Sequence, residues 1–217
     1  MTPPKVKICC ISTVEEAQLA LTCGASALVL VSAMPSALGL IDEDLIAETV
    51  GTVPPPTATF FLTSQQNVDV IVDQQQRCRP DRMQLVDAVA EMWLIRVRRA
   101  LPGIVLVQVI HVTGRKSIDE ACAVASLVDT IPLDSGNQKI NVKQLGGTGR
   151  AHDWRINRTI RERCGKPVFL AGGLKADNVR EAIDQVQPFG LDLCSGVRTG
   201  SALDESKLRQ FFAAQRQ

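Results

Sequence analysis

The hydrophobic positions of this chain fall into two alternating rhythms. Short apolar runs dense in Val, Ile and Leu occur at 6–10, 27–31, 57–62, 82–86, 104–110, 127–133, 168–171 and 191–194. Consecutive apolar positions over so few residues are what strands buried on both faces require. Between these runs lie segments in which apolar residues return every three or four positions, as at Val68, Ile71 and Val72, or at Val179, Ala182, Ile183 and Val186. Those are the stripes of amphipathic helices.

Local start and stop signals agree with this division. Ser12 or Thr13 caps a first helix whose Glu15 and Glu16 suit the positive first turn, and Gly24 ends it. Three prolines at 54–56 and the Pro102-Gly103 pair reset the chain. Ser117 with Glu120 three residues later predicts a capping box for the fifth helix. The count is eight strands and eight helices in strict alternation. With right-handed crossovers this pattern closes into a (β/α)8 TIM barrel or lays out a doubly wound sheet. No GxGxxG follows the first strand. The expectation is therefore an α/β fold, one (β/α)8 barrel domain over residues 1–217, with its active site at the carboxyl ends of the strands.

Composition narrows the function classes. Twenty-four Lys and Arg nearly balance 23 Asp and Glu, so no global field favours nucleic acid or a membrane surface. No apolar run approaches a membrane span, and the opening MTPPKVKICC lacks the pattern of a secretion signal. Seven scattered cysteines suit reduced thiols in a cytoplasmic setting better than a disulfide framework. With no CxxC and no His/Cys cluster, no metal is expected. The partner expected is a small molecule, bound by a monomer or homodimer.

If strand ends face the site, position alone nominates Cys9 and Cys10, Gln84 and Asp87, His111, and Asp134. A thiol serves as a base only as thiolate, which a positive neighbour such as Lys7 would favour. A carboxylic acid serves as a proton donor only if burial keeps its pKa high. Each also has a plain structural reading. Cys9 could be a small buried hydrophobe, Asp134 a loop cap with Ser135, His111 a hydrogen-bonder, and Gln84 a backbone partner.

Two further strand ends carry small, glycine-bearing turns, Gly172-Gly173 and Ser195-Gly196. A single such turn reads as a tight bend; the pair matches the phosphate site that barrels build after their last two strands. The long loop between Asp134 and Asp153 contains GGTGR at 146–150, an anion wrap or a flexible turn.

These segments, taken together, resemble one family. KICCIS at 7–12, MQLVD at 83–87, LDS at 133–135, GGTGRAHDW at 146–154, LAGGLKADNV at 170–179 and DLCSGVR at 192–198 follow in the order found in phosphoribosylanthranilate isomerases. The resemblance runs from Lys7 to nearly the carboxyl end. It implies a cofactor-free barrel that catalyses an Amadori rearrangement in tryptophan biosynthesis, converting an aminoaldose phosphate into an aminoketose phosphate. It further implies Cys9 as general base, Asp134 as general acid, Gly172, Gly173, Ser195 and Gly196 as phosphate cradle, and Gly147 within a loop that closes over the substrate.

The chain departs from the family pattern where the substrate's anthranilate group would sit. The arginine expected after the second strand is missing: the segment reads MPSALGL, and no Arg stands between Cys23 and Arg77. Val86 replaces a His, Cys10 a Gly, and Arg198 a Glu. Arg198, on the same rim, is the expected substitute cation, with His111 and Gln84 as further substrate contacts. A barrel acting on a different phosphosugar, or one that binds a phospholigand without catalysis, remains as an alternative reading.

Overall fold

The computed structural model describes residues 3–34, 38–135 and 153–216. Nine parallel strands make its frame: β1 (Lys5–Ile8), β2 (Ala27–Val31), β3 (Ala58–Thr63), β4 (Arg82–Leu85), β5 (Val105–Gln108), β6 (Ile110–His111), β7 (Ile131–Asp134), β8 (Val168–Leu170) and β9 (Gly190–Leu193). They pair in the order β5-β4-β3-β2-β1-β9-β8-β7-β6. The two strands at the ends of that order are consecutive in the chain, separated only by Val109. β5 pairs with β4 and β6 pairs with β7, so one interrupted stave closes the sheet into a barrel of the expected eight.

The single strand expected at 104–110 is thus two pieces, and the break has a physical cause. This stave changes partner along its length. Where it does, the Gln108 carboxamide donates to the carbonyls of Leu85, Asp87 and Val109 at 3.1, 2.9 and 3.1 Å, occupying acceptors at the seam.

A helix follows each stave: α1 (Val14–Cys23), α2 (Glu43–Thr52), α3 (Val68–Cys78), α4 (Glu91–Ala100), α5 (Lys116–Val124), α6 (Trp154–Cys164), α7 (Val179–Val186) and α8 (Glu205–Ala214). Thr13 caps α1 by accepting the Glu16 N–H at 3.1 Å, and Gly24 ends it in the left-handed region. The capping box expected at Ser117 does not form, because α5 begins one residue earlier, behind Arg115. Ser117 instead accepts the Thr113 N–H at 3.1 Å and donates to the His111 carbonyl, tying the end of β6 to the helix. A short hairpin, β10 (Arg198–Thr199) with β11 (Ala202–Leu203), lies between β9 and α8.

Two core layers result from the period of two along each strand. Leu28 and Leu30 face the helices, whereas Val29 and Val31 fill the barrel with Phe60, Leu62 and Val107. Each fully buried side chain of this size contributes roughly 1.5–3 kcal/mol. A polar layer interrupts the filling. Lys7 is fully buried, its Nζ 4.5 Å from the Phe60 ring centre, 2.6 Å from Gln84 Oε1 and 2.9 Å from Asp192 Oδ2. Among the described residues no helix is long and apolar enough to cross a membrane.

Candidate active site

One cavity opens at the carboxyl ends of the staves. Cys9 and Cys10 reach it from the end of β1, Gln84 from β4 and Asp134 from the end of β7. Gly172 and Gly173 follow β8 into it, as Ser195 and Gly196 follow β9. Candidates spread over most of the chain therefore line a single space.

The two glycine turns interlock. Gly172 and Gly173 both adopt left-handed backbone, at φ 85° and 67°, which a Cβ would strain. Asn178, at the head of α7, braces this turn: Nδ2 donates to the Gly173 carbonyl and Oδ1 accepts the Lys175 N–H, both at 2.9 Å. Gly196 presses against the same turn from the other side, since a Cβ on it would lie 1.9 Å from the Leu174 carbonyl oxygen. Any side chain at 196 would drive the turns apart.

Below the cradle lies the polar layer. Gln84 Oε1 is engaged by Lys7, so the carboxamide oxygen serves the protein's own network. Asp192 lines the cavity and was not among the sequence candidates. Burial pushes its carboxyl up to about 7, against the pull of Lys7, with Cys9 and Asp134 adding to the rise. It therefore retains a proton close to neutral pH beside the candidate base. The signal was present as the one acidic residue in the apolar run GLDL. Asp134 holds its Oδ1 against the Ser135 N–H at 2.7 Å, so a loop-capping role coexists with its place in the cavity.

Three thiols meet at the mouth. Cys9 and Cys10 Sγ are 3.5 Å apart, and Cys10 and Cys194 Sγ are 3.0 Å apart. Cys10 sits at φ 64°, in the left-handed region that favours glycine. Three sulfurs this close resist more than one negative charge. Cys194 takes it, brought down to about 4 by hydrogen bonds from Cys10 and Cys9, with Arg198 helping against burial. The Cys9 thiol is pushed up to about 12: its hydrogen bond with Cys10 works to lower it, but the hydrogen bond to Cys194, burial and the Cys194 charge outweigh that. Lys7 does pull Cys9 downward, as anticipated, and is overruled. Among the described residues no group of three or more His, Cys, Asp or Glu is arranged to hold a metal ion.

Comparison with known proteins shows the family. A family model described as N-(5'-phosphoribosyl)anthranilate isomerase matches residues 6–214. The chain belongs to the phosphoribosylanthranilate isomerase family. It is 32% identical over 212 residues to N-(5'-phosphoribosyl)anthranilate isomerase 2 of Methanosarcina mazei, covering 95% of this chain and 92% of that protein. It is 34% identical over 208 residues to the Geotalea uraniireducens protein of the same name, covering 95% and 96%. The crystal structure of phosphoribosyl anthranilate isomerase from Thermotoga maritima superposes with a TM-score of 0.85 at 24% identity, covering 98% of both chains, and this likeness speaks to the fold.

Within this phosphoribosylanthranilate isomerase barrel, two expected substrate contacts lie elsewhere. Arg198, expected to replace the missing cation, is buried and turned to the barrel's own backbone. Its two terminal nitrogens donate to the Glu16 carboxylate at 2.9 and 3.1 Å, and also to the carbonyls of Ser201 and Cys10. It is not among the residues lining the cavity. Glu16, on α1, is the partner that draws it away. Arg198 and the N–H groups of Leu203 and Ser12 hold the Glu16 carboxyl below its usual value although burial works the other way. His111 is buried with Nε2 2.9 Å from the Val86 carbonyl, and it lines a separate cavity beside α5 with Glu120 and Val124. The pairing of β4 with β5 ends at Leu85 and Gln108, one residue before the carbonyl that the imidazole meets. Gly147 lies outside the described residues.

An apolar part of the cavity lining is made by Val31, Leu38, Leu62, Val86 and Val109. Among the described residues that line the cavity there is no Lys or Arg.

Proposed function

We propose that this chain isomerises N-(5'-phosphoribosyl)anthranilate by an Amadori rearrangement, at the cavity where Cys9, Asp134 and the interlocked glycine turns converge. That convergence is the observation that carries the reading. The phosphate of the substrate rests between Gly172-Gly173 and Ser195-Gly196, which leaves the sugar over the polar floor. Asp134 gives its proton to the ring oxygen as the furanose opens to a Schiff base. Cys9, as thiolate, then removes the proton from C2', and the resulting enolamine settles into the aminoketose. Family membership supports the assignment; so does the arrival in one cavity, from different strand ends, of a thiol and a carboxyl group, the two kinds of group that the base and acid steps use.

The thiol cluster sets a condition on the base. With the negative charge favoured at Cys194, Cys9 can become a thiolate by passing its proton to Cys194, its hydrogen-bond partner. The charge then moves within the cluster and no new charge is buried.

The test is turnover of phosphoribosylanthranilate, followed by the loss of its fluorescence, for the wild type and for Cys9→Ser and Asp134→Asn. Each variant is expected to lose about 10²–10⁴-fold in kcat, the range of a positioned acid or base. Absence of wild-type turnover, or turnover unaffected by both changes, removes the assignment.

A second reading is favoured by the apolar wall: an isomerase whose phosphosugar carries an aryl or alkyl amine without a carboxylate. A charge-assisted pair to a carboxylate contributes on the order of 1.5–3 kcal/mol, so a site without one loses its preference for anthranilate. Comparing kcat/KM for phosphoribosylanthranilate with that for the decarboxylated aniline analogue separates the two. An anthranilate preference above ~10-fold counts against the second reading.

A further inference from the structure

The cluster of Cys9, Cys10 and Cys194 contains more sulfur than an acid and base isomerisation uses. One thiol suffices for the base. The other two stand at 3.0 Å, from the ends of neighbouring staves that pair in register from Lys5 and Gly190 to Ile8 and Leu193. The Cys9 N–H donates to the Leu193 carbonyl at 2.6 Å, so the backbone on both sides of the pair is already held together. All three sulfur-bearing residues line the cavity, which gives a small oxidant access.

We propose that Cys10 and Cys194 form a peroxide-responsive disulfide beside the candidate base, a modification site that reversibly slows the isomerase. The inference rests on the reading of Cys9 as base for its effect on activity, although the disulfide itself does not depend on that reading. Cys10 and Cys194 are the closest pair. A bond between the adjacent Cys9 and Cys10 would instead close an eight-membered ring through the intervening peptide, whereas Cys10 and Cys194 belong to separate strands and close the gap by a shift of about 1 Å to the usual S–S length.

The chemistry balances with a peroxide as oxidant. The Cys194 thiolate attacks the peroxide, the O–O bond breaks, and sulfenic acid forms while hydroxide leaves and is protonated by solvent. The Cys10 sulfur then attacks the sulfenic sulfur. An S–S bond forms, the S–O bond breaks, and water departs with the Cys10 proton. Two thiol sulfurs are oxidised and one peroxide is reduced to two waters. The Cys194 sulfur is the initiating nucleophile because its ionised form is the one the cluster favours, and rates of such oxidation follow thiolate character and exposure.

Closure acts on Cys9 through hydrogen bonds. In the reduced cluster the Cys10 hydrogen bond is the largest influence favouring the Cys9 thiolate, and Cys194 is the acceptor for its proton. As a disulfide the pair has neither a proton to donate nor a thiolate to receive one. Closure also removes the Cys194 hydrogen bond and charge that raise Cys9, but the lost Cys10 donor is the largest of these influences and the proton acceptor is lost with it, so activity falls by about tenfold to a hundredfold, the size of one hydrogen bond to a charged group.

The test uses purified Cys122→Ser protein, because Cys122 and Cys164 sulfurs are also 3.6 Å apart and would contribute a second cross-link. After stoichiometric hydrogen peroxide, intact mass, peptide mapping with fragmentation between residues 9 and 10, and turnover are recorded before and after dithiothreitol. The expected result is a loss of two hydrogens, a Cys10–Cys194 linked peptide, and a fall in activity that dithiothreitol reverses. Cys10→Gly, which suits the left-handed backbone at that position, is expected to abolish the linked peptide and the reversible phase. Absence of the Cys10–Cys194 link in active enzyme, or an activity loss that dithiothreitol does not reverse, overturns the proposal. A link that forms in protein without isomerase activity upholds the disulfide and instead fails the assignment of function.

Discussion

Lys7 places its ammonium 2.9 Å from the Asp192 carboxyl group inside the barrel, where both side chains are buried. Asp192 lines the cavity, and its titration should be visible in stability. Asp192 is raised to about 7 when folded, against about 4 in an unfolded chain. Between those values the folded state holds a proton that the unfolded state has released. Asp192 therefore favours folding below about pH 4, and that contribution is lost as pH rises through about 7. Asp192→Asn does not titrate, so it should gain on the wild type by about 1–4 kcal/mol across this window. Parallel curves of unfolding free energy against pH for the two proteins would refute this.

Arg198 is committed to Glu16 and to backbone carbonyls, so its removal should read as a stability defect. Breaking a buried pair from one side leaves an uncompensated charge and costs about 3–5 kcal/mol. Arg198→Met is expected to lower the unfolding free energy obtained by denaturant titration by that amount. A variant with unchanged stability and a raised KM would instead restore Arg198 to the substrate.

Gly196 tests the interlocking of the cradle. Alanine there meets the Leu174 carbonyl oxygen at 1.9 Å, a backbone atom that cannot swing aside. Overpacking of this kind costs about 1–3 kcal/mol, and the shift it forces falls on the phosphate site. Gly196→Ala should raise KM for phosphorylated substrate and weaken inhibition by inorganic phosphate together. Retention of both wild-type values would place the phosphate elsewhere.

Cys194 raises the pKa of Cys9 through both its hydrogen bond and its charge. Serine at 194 carries no charge and can donate to a Cys9 thiolate. In Cys194→Ser the acid limb of kcat/KM should accordingly move to lower pH. A limb that stays in place, or that moves upward, would show that Cys9 is not the group being titrated.

Strand and helix alternation was legible because burial on both faces and burial on one stripe leave different periods in the sequence. The same alternation put Cys9, Asp134, Gly172, Gly173, Ser195 and Gly196 at strand ends, and in a parallel barrel all strand ends open on one rim. Their meeting in one cavity follows from topology, without knowledge of any side-chain contact. The seam at Val109 was not legible, since a stave that changes partners reads as one apolar run.

Side-chain direction is where the tertiary structure alone decided. Arg198 stood on the right rim, yet it meets a Glu16 182 positions away, and no local pattern couples the two. Cys10 and Cys194, 184 positions apart, behave the same way: each reads as a small buried residue until the closed barrel puts their sulfurs in contact and lets them share a charge. His111 turned to the Val86 carbonyl and to a separate cavity beside α5. Periodicity thus determined which backbone ends share the mouth of the barrel. What each polar group does there depended on long-range partners, because a buried charge or donor takes the nearest complement that folding supplies.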